Sequence, residues 1–245
     1  MSSDRLSGKI LAITGASSGI GRSIAEKAVA EGAKVIIMAR RANRMEELAA
    51  QLGQNCKPFV IDVTEYDGKI ELFEGLEQIF SAPVCALVNN AGIYVDRKLG
   101  EYTVKDFDNV INTNLKAPFF LMQGYVNYCK KKGVKGNIVV TASNRGLFGD
   151  TGPYGISKAG IINAVQGFAR ETVLEGIRVN AVSPGMTASE INGIDINGNL
   201  HTDSARGKRV LLPVEIAEIV CFLLSEESKC ITGAIVPCDE GDYLR

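Results

Sequence analysis

The sequence is poor in the features that mark membrane, nucleic-acid or metal-binding proteins. Its 245 residues include no tryptophan and a single histidine. Lys and Arg number 27 against 28 Asp and Glu, a net charge of −1, so no excess positive charge is available to draw nucleic acid or an anionic membrane. Neither the opening MSSDRLSGK nor any later stretch supplies the long apolar run of a signal peptide or a membrane span, and a cytoplasmic protein is expected. The six cysteines, Cys56, Cys85, Cys129, Cys221, Cys230 and Cys238, contain no CxxC pair. They read as buried free thiols rather than disulfides or zinc ligands, and no metal site is expected. His201 lies among Asn, Gly and Asp in a polar stretch and reads as a solvated loop residue. There is no low-complexity tract and no domain linker.

What is present is a rhythm. Apolar residues make up 46% of the chain, enough for a sizeable core. Short β-rich runs at Lys9–Thr14, Lys34–Ala39, Lys57–Ile61, Val84–Val88, Asn137–Thr141, Ile177–Val182 and Ala234–Cys238 alternate with amphipathic stretches. Those stretches are Ile20–Glu31, Asn43–Leu52, Tyr66–Phe80, Val104–Lys131, Tyr154–Glu175 and Pro213–Leu224. Most of the runs are near-continuously apolar, as parallel strands covered on both faces are. Alternating strands and helices imply right-handed crossovers and a parallel sheet. The expectation is one α/β domain over residues 1–245, a doubly wound seven-stranded parallel sheet with helices on both faces. Its ligand would lie beyond the C-terminal strand ends. The polar, Gly- and Asn-rich stretch at residues 187–212 breaks the rhythm and is expected to be a lid over the site.

The first strand runs into Thr14-Gly15-Ala16-Ser17-Ser18-Gly19-Ile20-Gly21, and a helix follows. Glycines there let the backbone turn tightly and approach a pyrophosphate, and the helix N-terminus offers unpaired N–H groups to the anion. The spacing is GxxxGxG rather than the GxGxxG of the usual Rossmann fingerprint, but its place after the first strand points to a dinucleotide. An acidic residue closing the second strand would bind a ribose 2′-hydroxyl and repel a 2′-phosphate. This chain has Ala39 there, followed by Arg40 and Arg41. Arg40 is expected to hold a 2′-phosphate, with Arg22 as a second cation, which makes the expected cofactor NADP(H) rather than NAD(H).

Tyr154 and Lys158 stand at i and i+4 on one helix face. A free phenol has a pKa of about 10, and an ammonium at about 4 Å in an effective dielectric near 20 is worth roughly 4 kcal/mol, on the order of three pKa units. Lys158 is therefore expected to bring Tyr154 into the range of acid/base catalysis. Upstream, a strand ends in Thr141-Ala142-Ser143. A hydroxyl there can hold a substrate oxygen against Tyr154; the alternative for Ser143 is a turn or cap residue only.

With these residues in view, the chain resembles the short-chain dehydrogenase/reductase family in its classical form, from Lys9 to about Leu244. The matching elements are the glycine turn of residues 14–21, Asp62-Val63, Asn89-Asn90-Ala91-Gly92, Asn112-Thr113-Asn114-Leu115, Tyr154 with Lys158, and Ser183-Pro184-Gly185. The resemblance implies a Rossmann-type strand order of 3-2-1-4-5-6-7 and a catalytic set of Ser143, Tyr154, Lys158 and Asn114. In that set Tyr154 exchanges the proton, Ser143 polarises the substrate oxygen, and Asn114 holds a water that extends the relay from Lys158. It also implies cofactor contacts from Gly15, Ser17, Ser18, Gly19, Ile20 and Gly21. Further cofactor contacts are implied from Asp62 and Val63 at adenine, and from Asn90 against the adenosine ribose with Ala91 and Gly92 beside it. They are also implied from Tyr154, from Lys158 at the nicotinamide ribose, from Pro184, Gly185 and the Met186 backbone by the nicotinamide, and from Thr187 at a phosphate or the carboxamide. One departure stands out: Ser143 is eleven residues before Tyr154, where the family places its serine twelve or thirteen before, and Thr141 lies thirteen before. Ser143-Asn144-Arg145-Gly146 fits the family's S-x-x-G, so Ser143 is preferred.

Other signals are weaker. Arg145 is read as ion-paired or solvent-facing before it is read as a substrate contact. Tyr94, Phe148 and Met186 are candidate pocket walls. The lysines at residues 130–132 complement a helix C-terminus. The family packs its two long central helices against other copies, which implies a homotetramer. The function expected is reversible hydride transfer between NADP(H) and a ketone, aldehyde or secondary alcohol. The rivals are reduction of 3-oxoacyl groups on acyl carrier protein and an inactive NADPH-binding regulator. The first is weakened by Glu175, which falls near where an arginine that docks the carrier would be expected.

Overall fold

A computed structural model describes residues 4–244. The apolar runs form seven strands: β1 (Ile10–Thr14), β2 (Lys34–Ala39), β3 (Cys56–Val60), β4 (Ala86–Asn89), β5 (Asn137–Thr141), β6 (Arg178–Pro184) and β7 (Ile235–Cys238). They pair in parallel in the order β3-β2-β1-β4-β5-β6-β7, the order the family resemblance implies. The helices between them are α1 (Gly19–Ala30), α2 (Ala42–Leu52), α3 (Glu71–Phe80), α4 (Val104–Ile111), α5 (Ala117–Lys132), α6 (Pro153–Thr172) and α7 (Pro213–Leu224).

The strands are apolar throughout because each face of the sheet is covered. Leu11, Ile13, Val35 and Ile37 turn towards α1, α2 and α7. Their neighbours Ile10, Ala12, Ile36 and Met38 turn the other way, towards α3, α5 and α6. The two outer strands are less buried. Pro58 in β3 sits at the sheet edge, where a missing N–H costs no ladder bond.

Several boundaries differ from the sequence reading. The segment before α3 is not helical: Gly68 has φ +86°, and the Tyr66 hydroxyl donates to the Lys69 carbonyl. The stretch read as the single helix Val104–Lys131 is interrupted by a π-helical turn, Asn112–Lys116, between α4 and α5. Pro118 is the physical reason, since it has no N–H to give to the Asn114 carbonyl four residues back and its ring crowds that carbonyl. The cysteines are all free, as expected, but only Cys56, Cys129 and Cys221 are buried; Cys85 and Cys238 are half-buried and Cys230 is exposed. Cys85 precedes β4 rather than lying within it.

Among the described residues no helix is long and apolar enough to cross a membrane, and no group of three or more His, Cys, Asp or Glu side chains is placed to hold a metal ion.

Candidate active site

The chain order reverses between β1 and β4, and a cleft of about 440 Å³ opens there at the C-terminal strand ends. Thr14 ties the two strands together. Its hydroxyl donates to the Val88 carbonyl at 3.3 Å and accepts from the Asn90 and Ala91 amides at 3.0 and 3.1 Å. Asn90 extends the strut: its amide nitrogen reaches the Thr14 and Gly15 carbonyls, and its oxygen accepts from Thr141 Oγ1 at 3.1 Å. The sequence reading placed Asn90 on the ribose. It lines the cleft, yet its side chain is spent on bracing the turn.

Gly15 and Gly21 make the turn possible for different reasons. A Cβ on Gly15, at φ +65°, would lie 2.7 Å from Ala91 Cα, so only glycine lets β1 close against the Asn90–Ala91 backbone. A Cβ on Gly21 would meet Gly15 O and Asn90 Nδ2 at 2.4 Å. Gly21 does not line the cleft; it allows α1 to approach the turn rather than touching a ligand. Ser18, at the N-cap of α1, makes no capping bond with its side chain, which leaves the first-turn amides free to face an anion.

The end of the cleft next to the glycine turn, where the resemblance implies adenine, is lined by Met38, Ala39, Arg40, Arg41, Ile61, Asp62 and Val63. Asp62 accepts from the Thr64 amide and hydroxyl at 2.9 and 2.7 Å and pairs with Arg40 at 3.6 Å; the Thr64 bonds and then the Arg40 charge hold its carboxyl below the usual range. Arg40 is largely exposed. Arg41 instead folds over the glycine turn and donates to Ser17 Oγ and Ser18 Oγ, each at 2.9 Å. Arg22, expected as a second cation in the cleft, turns to Glu26 and Gln51 at 2.8 Å and lines a neighbouring hollow instead. These residues fit a nicotinamide dinucleotide: a glycine cradle that a Cβ would fill, an uncapped helix N-terminus, and cations with no acid at Ala39.

At the other end Ser143, Tyr154 and Lys158 converge, with Thr141, Ala142, Gly92 and Ile93 beside them. Ser143 Oγ accepts from the Arg145 amide at 3.2 Å, capping a 3-10 turn at Asn144–Gly146, and Ser143 lines the cleft together with Tyr154. Thr141 has its hydroxyl turned to Asn90. A Cβ on Gly146 would lie 2.7 Å from the Lys158 carbonyl carbon, which accounts for the glycine of the S-x-x-G: it lets this turn sit on the α6 backbone at Lys158. Tyr94 packs edge-on against Tyr154, with ring centroids 5.1 Å apart. Arg145 pairs with the Asp150 carboxylate at 2.7 Å, in line with the ion-paired reading preferred over a substrate contact.

The charge balance at Tyr154 differs from the expectation. Burial pushes the phenol up, while the neighbouring Ser143 hydroxyl and then the Arg145 charge oppose that shift. Lys158 was expected to do the lowering. Its ammonium donates instead to the Thr141 carbonyl at 2.8 Å and sits 5.6 Å from the Tyr154 ring centroid. Burial lowers Lys158 itself to about 8. Among the protein's own groups desolvation therefore outweighs the attraction between the pair. The sign gives a test of stability. Lys158 titrates near 8 folded and near 10.5 unfolded, so the unfolded chain binds the extra proton between those values. The penalty is complete below pH 8 and disappears as pH rises through that window. Urea unfolding should show wild type gaining on the order of 2–3 kcal/mol relative to Lys158→Met from about pH 7 to about pH 10; a constant difference would contradict the burial account.

Asn114 occupies the π-turn and is buried. Its side chain clamps the loop after β4, accepting from the Ile93 amide and donating to the Ile93 carbonyl, each at 2.9 Å, and it reaches Ser157 Oγ at 3.3 Å. No free side-chain amide is left to hold a water, and Pro118 has no N–H to give to the Asn114 backbone carbonyl. Pro184, Gly185 and Thr187 line the cleft, whereas Met186 does not: its side chain is partly exposed and its carbonyl accepts from Leu211 N. His201 is exposed, 3.7 Å from Asp203, and Lys130, Lys131 and Lys132 pair with Glu175, Glu74 and Glu77.

Sequence reasoning missed Arg41 and Glu190. Arg41 was visible as the second of two arginines after β2, but which of the two reaches the turn depends on backbone direction. Glu190 lines the same cleft from 149 residues away, and no local pattern marks it.

A glycine cradle at the strand reversal and a half-buried Tyr154 beside the buried Lys158 and Ser143 in one cleft define a nicotinamide-dependent oxidoreductase acting on C=O and CH–OH groups. The chain belongs to the short-chain dehydrogenase family, whose model matches residues 9–196. It is 36% identical to 3-oxoacyl-acyl-carrier-protein reductase of Salmonella typhimurium, over 97% of this chain and 98% of that one. It is 35% identical to the NADP-dependent (R)-specific alcohol dehydrogenase of Lentilactobacillus kefiri, with the same coverage. A crystal structure of a short-chain type dehydrogenase/reductase from Mycobacterium marinum superposes with a TM-score of 0.88 at 27% identity, covering 97% of this chain and 96% of that one.

Proposed function

We propose that the protein is an NADP(H)-dependent reductase of ketones or aldehydes, reversible towards secondary alcohols. The observation that carries this reading is a single cleft with Ser143, Tyr154 and Lys158 at one end and Arg40 and Arg41 beside a non-acidic Ala39 at the other. The nicotinamide supplies or accepts the hydride. Tyr154 gives its phenolic proton to the substrate oxygen, and takes it back in oxidation. The Ser143 hydroxyl holds that oxygen against the phenol. Lys158, buried beneath Tyr154, is the cation that turns from the Thr141 carbonyl to the ribose and phenol side. The Asn114 carbonyl holds the water that passes the proton on. Arg40 and Arg41 take the 2′-phosphate, and the irregular segment at residues 187–212 forms the lid. A cytoplasmic homotetramer is the assembly we infer from the family.

The test is NADPH and NADH oxidation against a diverse carbonyl panel. Turnover is expected with NADPH in preference to NADH, and Arg40→Asp should lower the NADPH-to-NADH ratio of kcat/KM by about tenfold or more, since it removes a charge-assisted contact and adds repulsion. An unchanged ratio would take Arg40 out of the phosphate site. Tight cofactor binding without turnover across the panel would favour the regulator instead. A second substrate reading, reduction of carrier-bound 3-oxoacyl groups, draws support from the Salmonella relative. Against it, Glu175, in the 3-10 turn that follows α6, is paired with Lys130, and Arg170 near the end of α6 lies against Glu171, so this corner offers little free positive charge to an acidic carrier. Comparing an acyl-carrier substrate with its free thioester separates the two.

A further inference from the structure

The segment between β6 and α7 reaches back across the glycine turn through one side chain. Glu190, in a 3-10 turn at Glu190–Asn192, places one carboxylate oxygen 3.0 Å from Arg41 Nη1 and the other on Arg44 Nη1. Arg41 is engaged on its remaining edges too: Nη2 donates to Ser17 and Ser18, and Nε to Ser17 at 3.3 Å. The carboxylate lines both the main cleft and the hollow next to it, where Arg22, Glu26, Glu47 and Asp195 also lie. It is the only acidic side chain on the main cleft besides Asp62 among the described residues.

This puts a fixed anion on the guanidinium that stands nearest the turn. The serine hydroxyls on Arg41 are neutral and can share it with a phosphate. A carboxylate cannot share it cheaply, because a phosphate on the same guanidinium brings two like charges within a few ångströms. Glu190 is half-exposed, so it has solvent to move into and gives way without leaving a buried charge behind.

We propose that Glu190 is a specificity-determining latch: it competes with the 2′-phosphate for Arg41, holds down the preference for NADP(H) over NAD(H), and ties the 187–212 segment to α2 until a 2′-phosphorylated nucleotide displaces it. This rests on the NADP(H) reading above. The device works through charge alone, so the isosteric amide Glu190→Gln removes the competition while keeping the side-chain shape. Two partly exposed ion pairs are modest individually, and their loss should tighten the 2′-phosphorylated nucleotide by about three- to tenfold.

The experiment is calorimetric titration of the full chain with 2′,5′-ADP and with ADP, in wild type, Glu190→Gln, Arg41→Gln and the double variant. Expected is a Kd for 2′,5′-ADP about three- to tenfold lower in Glu190→Gln, with ADP nearly unchanged and the gain absent in the Arg41→Gln background. Limited proteolysis supplies a second readout: 2′,5′-ADP, but not ADP, should speed cleavage within residues 187–212 of wild type, and Glu190→Gln should be cleaved at the faster rate with either. The latch is overturned if Glu190→Gln weakens 2′,5′-ADP, leaves it unchanged, or tightens both nucleotides alike. If wild type binds both probes and Glu190→Gln changes nothing, the latch alone falls. If wild type binds neither, the dinucleotide reading falls and the latch with it.

Discussion

Replacing Tyr154 with Phe should lower kcat by about 10²–10⁴-fold, the usual worth of a positioned acid/base, while NADPH binding changes little. The substitution removes one hydroxyl and keeps the ring, so the edge-on contact with Tyr94 and the start of α6 are preserved. In the proposed function nucleotide affinity is assigned to the glycine turn and to Arg40 and Arg41, which line the far end of the cleft and which the change does not touch. Pre-steady-state mixing with NADPH and an accepted ketone separates the two steps. Nucleotide binding should be intact and hydride transfer nearly abolished. A variant that retained more than about a tenth of wild-type kcat would move the proton transfer to another group.

The second large effect distinguishes two hydroxyls. Ser143→Ala is expected to cost about 10²–10³-fold in kcat, as loss of a donor aimed at a reacting oxygen does. Ser143 lines the cleft beside Tyr154, and its hydroxyl acts against the upward shift of that phenol. Thr141→Ala should cost much less in kcat and act mainly on stability, because its hydroxyl is tied to Asn90 in the strut that joins β5 to the turn. Replacing a buried, satisfied hydroxyl leaves the Asn90 oxygen short of a donor, at a cost of about 1–3 kcal/mol. The measurement is kcat beside the urea midpoint for each variant; the opposite ranking in kcat would show that Thr141 is the hydroxyl facing the substrate.

How far the sequence could be read depended on the range of the interactions. The strands were legible because burial on both faces forces apolar residues at every position, and β1, β2 and β5 fall within a residue of where the pattern placed them. Their order was not in the pattern; it came with the family resemblance. The π-turn at Asn112–Lys116 had a signal in Pro118, since a proline inside a helical stretch removes a donor, but amphipathic periodicity runs through it without a break. Gly15 and Gly146 were visible as motif letters, and their physical role, an approach too close for any Cβ, is a property of packing that spacing cannot express. The Tyr154–Lys158 spacing located the pair but misjudged its electrostatics. At i and i+4 two side chains share a helix face, yet the ammonium takes the Thr141 carbonyl of a strand seventeen residues upstream, and burial of both groups reverses the expected shift. Arg41 and Glu190 meet across 149 residues, beyond any local pattern.

The central claim is that Tyr154 is the group whose proton moves, and that the charges gathered around it when nucleotide binds bring its phenol down from the raised value its burial imposes. The direct measurement is the ultraviolet phenolate titration of wild type minus Tyr154→Phe, with and without NADP⁺. The account predicts one phenolate in the difference spectrum, appearing above pH ~10 in the protein alone and well below that with NADP⁺. A difference spectrum that NADP⁺ leaves unmoved would contradict it.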